Sequence, residues 1–172
     1  MQSPTPSDAT AYGRTQEEAG PLEDAPLSDE LALVVAGARR RAMRGGDRQI
    51  DTAHLLHSLL ETDPDVRAAF ADKPQVARLL GYLVQRSIGY GLQWQGAVED
   101  SGVVPVVSGA PGWSPLVAAA MEAGVARAAA RGEGRARGVD VLAALAADAE
   151  SRAVEVLGRA GVDVVELRER LS

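Results

Sequence analysis

Between residues 27 and 88 the apolar positions recur every three to four residues in separate blocks, each bounded by a capping or breaking residue. Leu31, Val34, Val35, Ala38 and Ala42 fall on one face of a helix that Ser28 caps and Gly45-Gly46 ends. Thr52 reads as the cap of a shorter helix that turns Leu55, Leu56, Leu59 and Leu60 inward and stops at Asp63-Pro64. Pro64 to Ala71 suggests a third helix. Pro74, at a first-turn position where the missing N–H costs nothing, opens a fourth with Val76, Leu79, Leu80 and Leu83 on one side, and Gly89 closes the series.

Residues 89–112 carry six glycines and a proline within Val103-Val104-Pro105-Val106-Val107, the pattern of a linker. Helical periodicity then resumes behind Ser114-Pro115, a cap followed by a first-turn proline, with the stripe Val117, Ala120, Met121, Gly124 and Ala128. A constant offset of 86 residues relates Leu31 to Val117, Val35 to Met121, Ala42 to Ala128, Gly46 to Gly132, Leu56 to Leu142 and Leu59 to Leu145. The chain is therefore an internal duplication, in which 27–60 aligns with 113–146 without a gap. Ser151 to Asp163 adds a helix ending at Gly161. Asp163 with Glu166 makes a capping box for a last helix through Leu167 and Leu171. The expectation is an all-α protein of twice four helices: repeat one over 27–88, a linker over 89–112 and repeat two over 113–172.

Composition agrees with that class. The chain has 172 residues, 46% of them apolar but only 3% aromatic, enough to bury one core and favouring helix over sheet. Cysteine is absent, which excludes disulfides, thiolate nucleophiles and zinc–thiolate sites. No apolar run reaches membrane-spanning length and the N-terminus lacks the basic and apolar regions of a signal peptide, so a soluble cytoplasmic protein with no membrane partner is expected. The net charge is −6, and much of it sits in residues 1–26, where Asp8, Glu17, Glu18, Glu23 and Asp24 face only Arg14. That proline-bearing segment reads as an acidic, disordered tail.

Candidate chemistry is sparse. His54 and His57 lie one turn apart, but two histidines lack a third ligand, and the matching positions of repeat two are Asp140 and Ala143. The simpler reading lets His54 bond exposed backbone in the first turn of its helix and leaves His57 on the outer face. Arg39, Arg40, Arg41, Arg44 and Arg48 ahead of a short helix imitate a helix-turn-helix, with an echo at Arg127, Arg131, Arg135 and Arg137. The acidic balance and the leucine-rich second helix favour solvated arginines pairing with carboxylates; a DNA-associated regulator is the alternative. No nucleophile constellation and no phosphate loop is present, Lys73 being the sole lysine, so neither catalysis nor a cofactor is expected.

Ile50-Asp51-Thr52-Ala53-His54-Leu55-Leu56 followed by Leu59-Leu60 resembles the I-G-T-E-H-L-L-x-x-L-L signature of the Clp N-terminal repeat, which occurs twice at the head of unfoldases such as ClpC and ClpA. The close of repeat two, Ser151-Arg152-Ala153-Val154 through Leu157, then Gly161-Val162-Asp163 and Leu167-Arg168, is similar to that family's R-A-x-x-L-x-x-x-G-V-D-x-x-x-L-R. The resemblance covers about residues 27–171. It implies a pseudo-twofold bundle that receives substrates or adaptors for an ATPase ring and its protease, here without a motor, since the chain has no phosphate loop and ends at Ser172. The 86-residue offset is longer than usual for that family, which implies an unusual insert at the linker. Glutamates that hold the guanidinium of phosphoarginine in ClpC-type domains are replaced by Ala53 and Val139, which removes that route of recognition. Actinobacterial ClpC domains lodge cyclic-peptide antibiotics between the starts of the first helices of the two repeats, a zone matched here by Leu27, Trp113 and Val117; the arginine-rich, lysine-poor composition also suits a GC-rich actinobacterial coding sequence. The resemblance thus implies a binding module for Clp protease components, an adaptor or substrate protein, or a cyclic peptide.

Overall fold

The structure, a computed structural model, describes residues 25–87 and 112–172, so the tail up to residue 24 and the linker over 88–111 lie outside the described residues. Within them the first repeat runs α1 (Asp29–Gly45), β1 (Gln49–Ile50), α2 (Thr52–Thr62), α3 (Pro64–Ala68) and α4 (Lys73–Ser87). The second runs β2 (Gly112–Trp113), α5 (Pro115–Ala130), α6 (Gly138–Ala147), α7 (Arg152–Arg159) and α8 (Val164–Arg170). The all-α class and the twice-four helix count hold among these residues. The strands are two-residue pieces.

The duplication is visible bond by bond. Ser28 Oγ accepts the Leu31 N–H at 3.1 Å and Ser114 Oγ accepts the Val117 N–H at 3.2 Å, each capping the first helix of its repeat. Those helices end alike. Gly46 and Gly132 take φ of +69° and +74°, a left-handed turn that glycine adopts without Cβ strain. The next N–H, of Asp47 or Glu133, returns to the carbonyl of Ala42 or Ala128 at 3.0 and 2.9 Å. The stripes read from the periodicity are buried: Leu31, Val34, Ala38 and Ala42 on α1, and Val117, Ala120, Met121, Gly124 and Ala128 on α5. Leu56, Leu59, Leu142 and Leu145 occupy equivalent buried places on α2 and α6, which lie at the centre of the bundle between the two repeats.

Three details differ from the sequence reading. Asp51, not Thr52, caps α2: its carboxylate accepts the His54 N–H at 2.8 Å while His54 Nδ1 accepts the Asp51 N–H at 3.0 Å. Thr52 is freed for another bond, its Oγ1 accepting the Ala153 N–H at 3.0 Å across the repeat boundary. His57 is not on an outer face; it is 6% exposed, because α2 is covered over the whole of Thr52–Leu60 by the other helices. Asp163 caps α8 through the N–H groups of Val165 and Glu166, but the Glu166 side chain reaches forward to Arg170 at 2.5 Å.

The repeats are joined by exchange. Strand β1 pairs in parallel with β2, Ile50 opposite Trp113, and an isolated bridge sets Leu27 opposite Ala136. These are the same pairing seen from either repeat, since the 86-residue offset carries Leu27 to Trp113 and Ile50 to Ala136. Pro26, whose carbonyl accepts the Ala136 N–H at 2.8 Å, and Gly112 thereby join the fold, one residue beyond the boundaries expected for the tail and the linker.

Candidate functional site

The sequence places Leu27, Trp113 and Val117 together, and the seam separates their roles. Leu27 and Trp113 each precede the cap of a first helix, are half-buried, and pack against the core while keeping part of the side chain at the surface. Val117 is wholly buried and presents nothing to a ligand. It is the residue under the Ser114 cap, so the correction is physical: the first inward position of α5 belongs to the core. A groove of about 420 Å³ is lined by Leu116, Ala119, Ala123, Ala144, Ala147 and Ser151.

A more polar site surrounds the start of α2. Asp51 is almost fully buried, and its carboxylate is held by Arg86 of α4 and by Arg152 of α7, the latter at 2.9 Å. Burial favours the protonated acid, yet the hydrogen bonds from His54 and the charge of Arg86 outweigh it and hold Asp51 well below the usual carboxylate range. The two histidines are driven in opposite directions. Burial would lower His54, but the hydrogen bond of its Nε2 with Asp47 at 2.9 Å and the neighbouring Asp51 carboxylate raise it above its ordinary value. His57 is pushed down to about 4 by burial and by the Arg41 guanidinium, against the pull of Glu61 on its Nε2 at 3.1 Å.

These groups border a cavity of about 390 Å³ between the end of α1, the start of α2 and the end of α4, with Arg41, Arg44, Asp47, His54, His57 and Arg86 in its wall. The duplication produces a counterpart of about 750 Å³ in repeat two, where Arg127, Ala130, Val139 and Asp140 stand for Arg41, Arg44, Ala53 and His54. The two positions themselves carry no carboxylate: Ala53 is fully buried and Val139 half-buried.

Four arginines of these faces find acidic partners. Arg41 pairs with Glu61, Arg131 with Glu133 and Asp140, Arg135 with Asp29 and Arg137 with Glu133. The second helix that a groove reader would present is the buried α2. Among the described residues no group of three His, Asp or Glu side chains is placed to hold a metal ion, and no helix is long and apolar enough to cross a membrane. Sequence reasoning missed Asp51, Arg86 and Arg152. Their signal was weak: a single acid before a histidine, with cationic partners 35 and 101 residues away.

No protein-family model matches the chain, and neither does the sequence of any curated protein. Solved structures do. The N-terminal domain of the caseinolytic-protease-associated chaperone ClpD from Arabidopsis thaliana superposes with a TM-score of 0.63 at 16% identity, covering 90% of this chain and 96% of that one. A chain from structural work on a malarial protein secretion system gives 0.61 at 13% identity over 85% and 92% of the two chains. The Hsp104 N-terminal domain from Candida albicans gives 0.61 at 12% identity over 85% and 89%. The chain has the Clp N-terminal fold.

Proposed function

We propose that this chain, folded as a Clp-type N-terminal domain, is a non-catalytic binding module that receives a segment of a protein partner of the Clp protease system, as an adaptor or as a decoy for peptide ligands. The observation that carries the reading is the seam. Two large apolar side chains, Leu27 and Trp113, stand at twofold-related points before the first helices, fixed by backbone pairing to the opposite repeat but left half-exposed. A rigid, partly exposed aromatic held by backbone on a stable scaffold is the kind of anchor that binds an apolar peptide side chain at low entropic cost. The fold shared with the N-terminal domains of ClpD and Hsp104 supports the class of partner. In this reading the occupant is a hydrophobic peptide segment or a cyclic peptide, and phosphoarginine is not captured through Ala53 or Val139.

The test is direct binding of purified Clp unfoldase and protease subunits, and of a cyclic peptide active on Clp proteins, to the native chain and to Trp113→Ala. Binding that weakens in the variant, with helix content unchanged, supports the proposal. Equal binding by both proteins refutes the seam as the site.

A further inference from the structure

The cavity of repeat one differs from its own duplicate in a way that folding does not require. In repeat two the charges satisfy one another: Arg131 is held by Asp140 at 2.6 Å and by Glu133 at 3.0 Å, and Arg127 donates to the Leu171 carbonyl at 2.6 Å. At the position of Arg44 stands Ala130, and at the position of His57 stands Ala143. In repeat one, three guanidinium groups, of Arg41, Arg44 and Arg86, face a cavity whose wall holds one carboxylate, Asp47, and that carboxylate is taken by His54. Arg41 and Arg86 are anchored from behind by Glu61 and Asp51. Arg44 has neither a hydrogen bond nor an ion pair among the described residues, whereas Arg41 keeps a buried Nε with no partner among them just as its counterpart Arg127 does, so Arg44 is what sets repeat one apart. A concave site where Arg44 is left unmatched by the described residues suits an acceptor from outside.

We propose that the repeat-one cavity is a binding site for an oxyanion, a phosphate monoester or a carboxylate on a short organic stem, with Arg44 and Arg41 as its principal donors. The volume of about 390 Å³ exceeds a bare anion and leaves room for such a stem. Placing Arg on a planar oxyanion gives forked, charge-assisted hydrogen bonds, which a compact ammonium cannot make. The proposal is independent of the peptide site at the seam and stands or falls without it.

One consequence gives the site its signature. His57 shares the cavity wall with Arg41 and Arg44 from α1, Asp47 after it, His54 from α2 and Arg86 from α4, with Glu61 on its Nε2, and burial together with the charge of Arg41 keeps the ring neutral. An anion seated among the same arginines offsets their charge, so its binding draws a proton onto His57. The chain contains two histidines, so each ring can be followed separately by NMR.

The experiment is a titration of both rings in the full chain, with inorganic phosphate, methyl phosphate and acetate each compared with chloride at matched ionic strength, in the native protein and in Arg44→Ala. That substitution gives repeat one the residue repeat two already has, at an exposed position. The expected result is an upward move of the His57 midpoint by about one pH unit with phosphate, as a neighbouring charge produces, and affinity at least ~10-fold weaker in Arg44→Ala. Whichever of methyl phosphate and acetate reproduces the inorganic phosphate effect identifies the source. A His57 midpoint that moves no further in phosphate than in chloride, or identical binding by Arg44→Ala, overturns the proposal.

Discussion

Ile50 of the first repeat lies opposite Trp113 of the second in a parallel pair, and the Ser114 N–H donates to the Ile50 carbonyl at 2.9 Å. The twofold counterpart is Leu27 opposite Ala136, with the Ser28 N–H on the Ala136 carbonyl at 2.8 Å. Each first helix is thus started on the other repeat's backbone, which ties the two halves together.

Asp51 is the charged part of that tie, since it binds α4 of its own repeat and Arg152 of the other. Replacing it by alanine leaves two largely buried guanidinium groups facing an empty place. Asp51→Ala is expected to cost about 3–5 kcal/mol, the range for removing one partner of a buried ion pair. Urea unfolding followed by circular dichroism measures it; a loss below ~1 kcal/mol would show the carboxylate to be screened by water.

The paired leucines give a symmetric control. Leu56 and Leu142 are both 0% exposed at positions 86 residues apart. Truncation of either to alanine is expected to cost about 2–5 kcal/mol, and the two values should agree to within ~1 kcal/mol. Strongly unequal values in denaturant melts would mean that one repeat packs more loosely than the other.

Gly138 in the first turn of α6 lies against Asp63, so that a methyl group there overlaps the carboxylate, whereas one at Gly134 meets open space. Gly138→Ala is expected to destabilise by about 1–3 kcal/mol as an overpacked contact, with Gly134→Ala changing stability little. Thermal melts of the two variants side by side distinguish a tight repeat junction from one that yields.

Acid stability follows from the opposed histidines. His54, raised above 6.5 in the fold, contributes stability that is complete below 6.5 and is lost as pH rises through its folded value. His57 acts oppositely: its fall from 6.5 to about 4 stabilises the neutral ring, so stability is full above 6.5 and declines as pH drops towards 4. Asp51, lowered from 3.8, adds a further loss below that value. Melting temperature should therefore fall between pH 6.5 and 4, and His57→Gln should flatten that decline. An unchanged slope in the variant would assign the acid loss elsewhere.

Much of the fold was legible because repetition averages out local ambiguity. Caps at Ser28 and Ser114, left-handed stops at Gly46 and Gly132 and leucines at one offset all depend on local periodicity, which a single sequence records twice. The seam strands were not legible, since Gln49–Ile50 and Gly112–Trp113 are too short to show alternation and pair over a long separation. The Asp51 cluster was hidden for the same reason: Arg86 and Arg152 are brought to it by packing, and no spacing in the chain marks them. His57 was misplaced because a helix central to a bundle buries all its faces, leaving no polar side for the histidine to mark. Leu27 and Trp113 were singled out by the resemblance and matched to each other by the offset, whereas Val117 went to the core.

The measurement that bears most directly on the seam as a partner site is calorimetric titration of Trp113→Ala and the native chain with purified Clp unfoldase subunits or a Clp-directed cyclic peptide. The account predicts saturable binding by the native chain and a loss of roughly 2 kcal/mol or more in the variant, as for a truncated aromatic anchor, with the helical spectrum and cooperative melt retained. Undiminished binding by Trp113→Ala, or no binding of either ligand by the native chain, would contradict it.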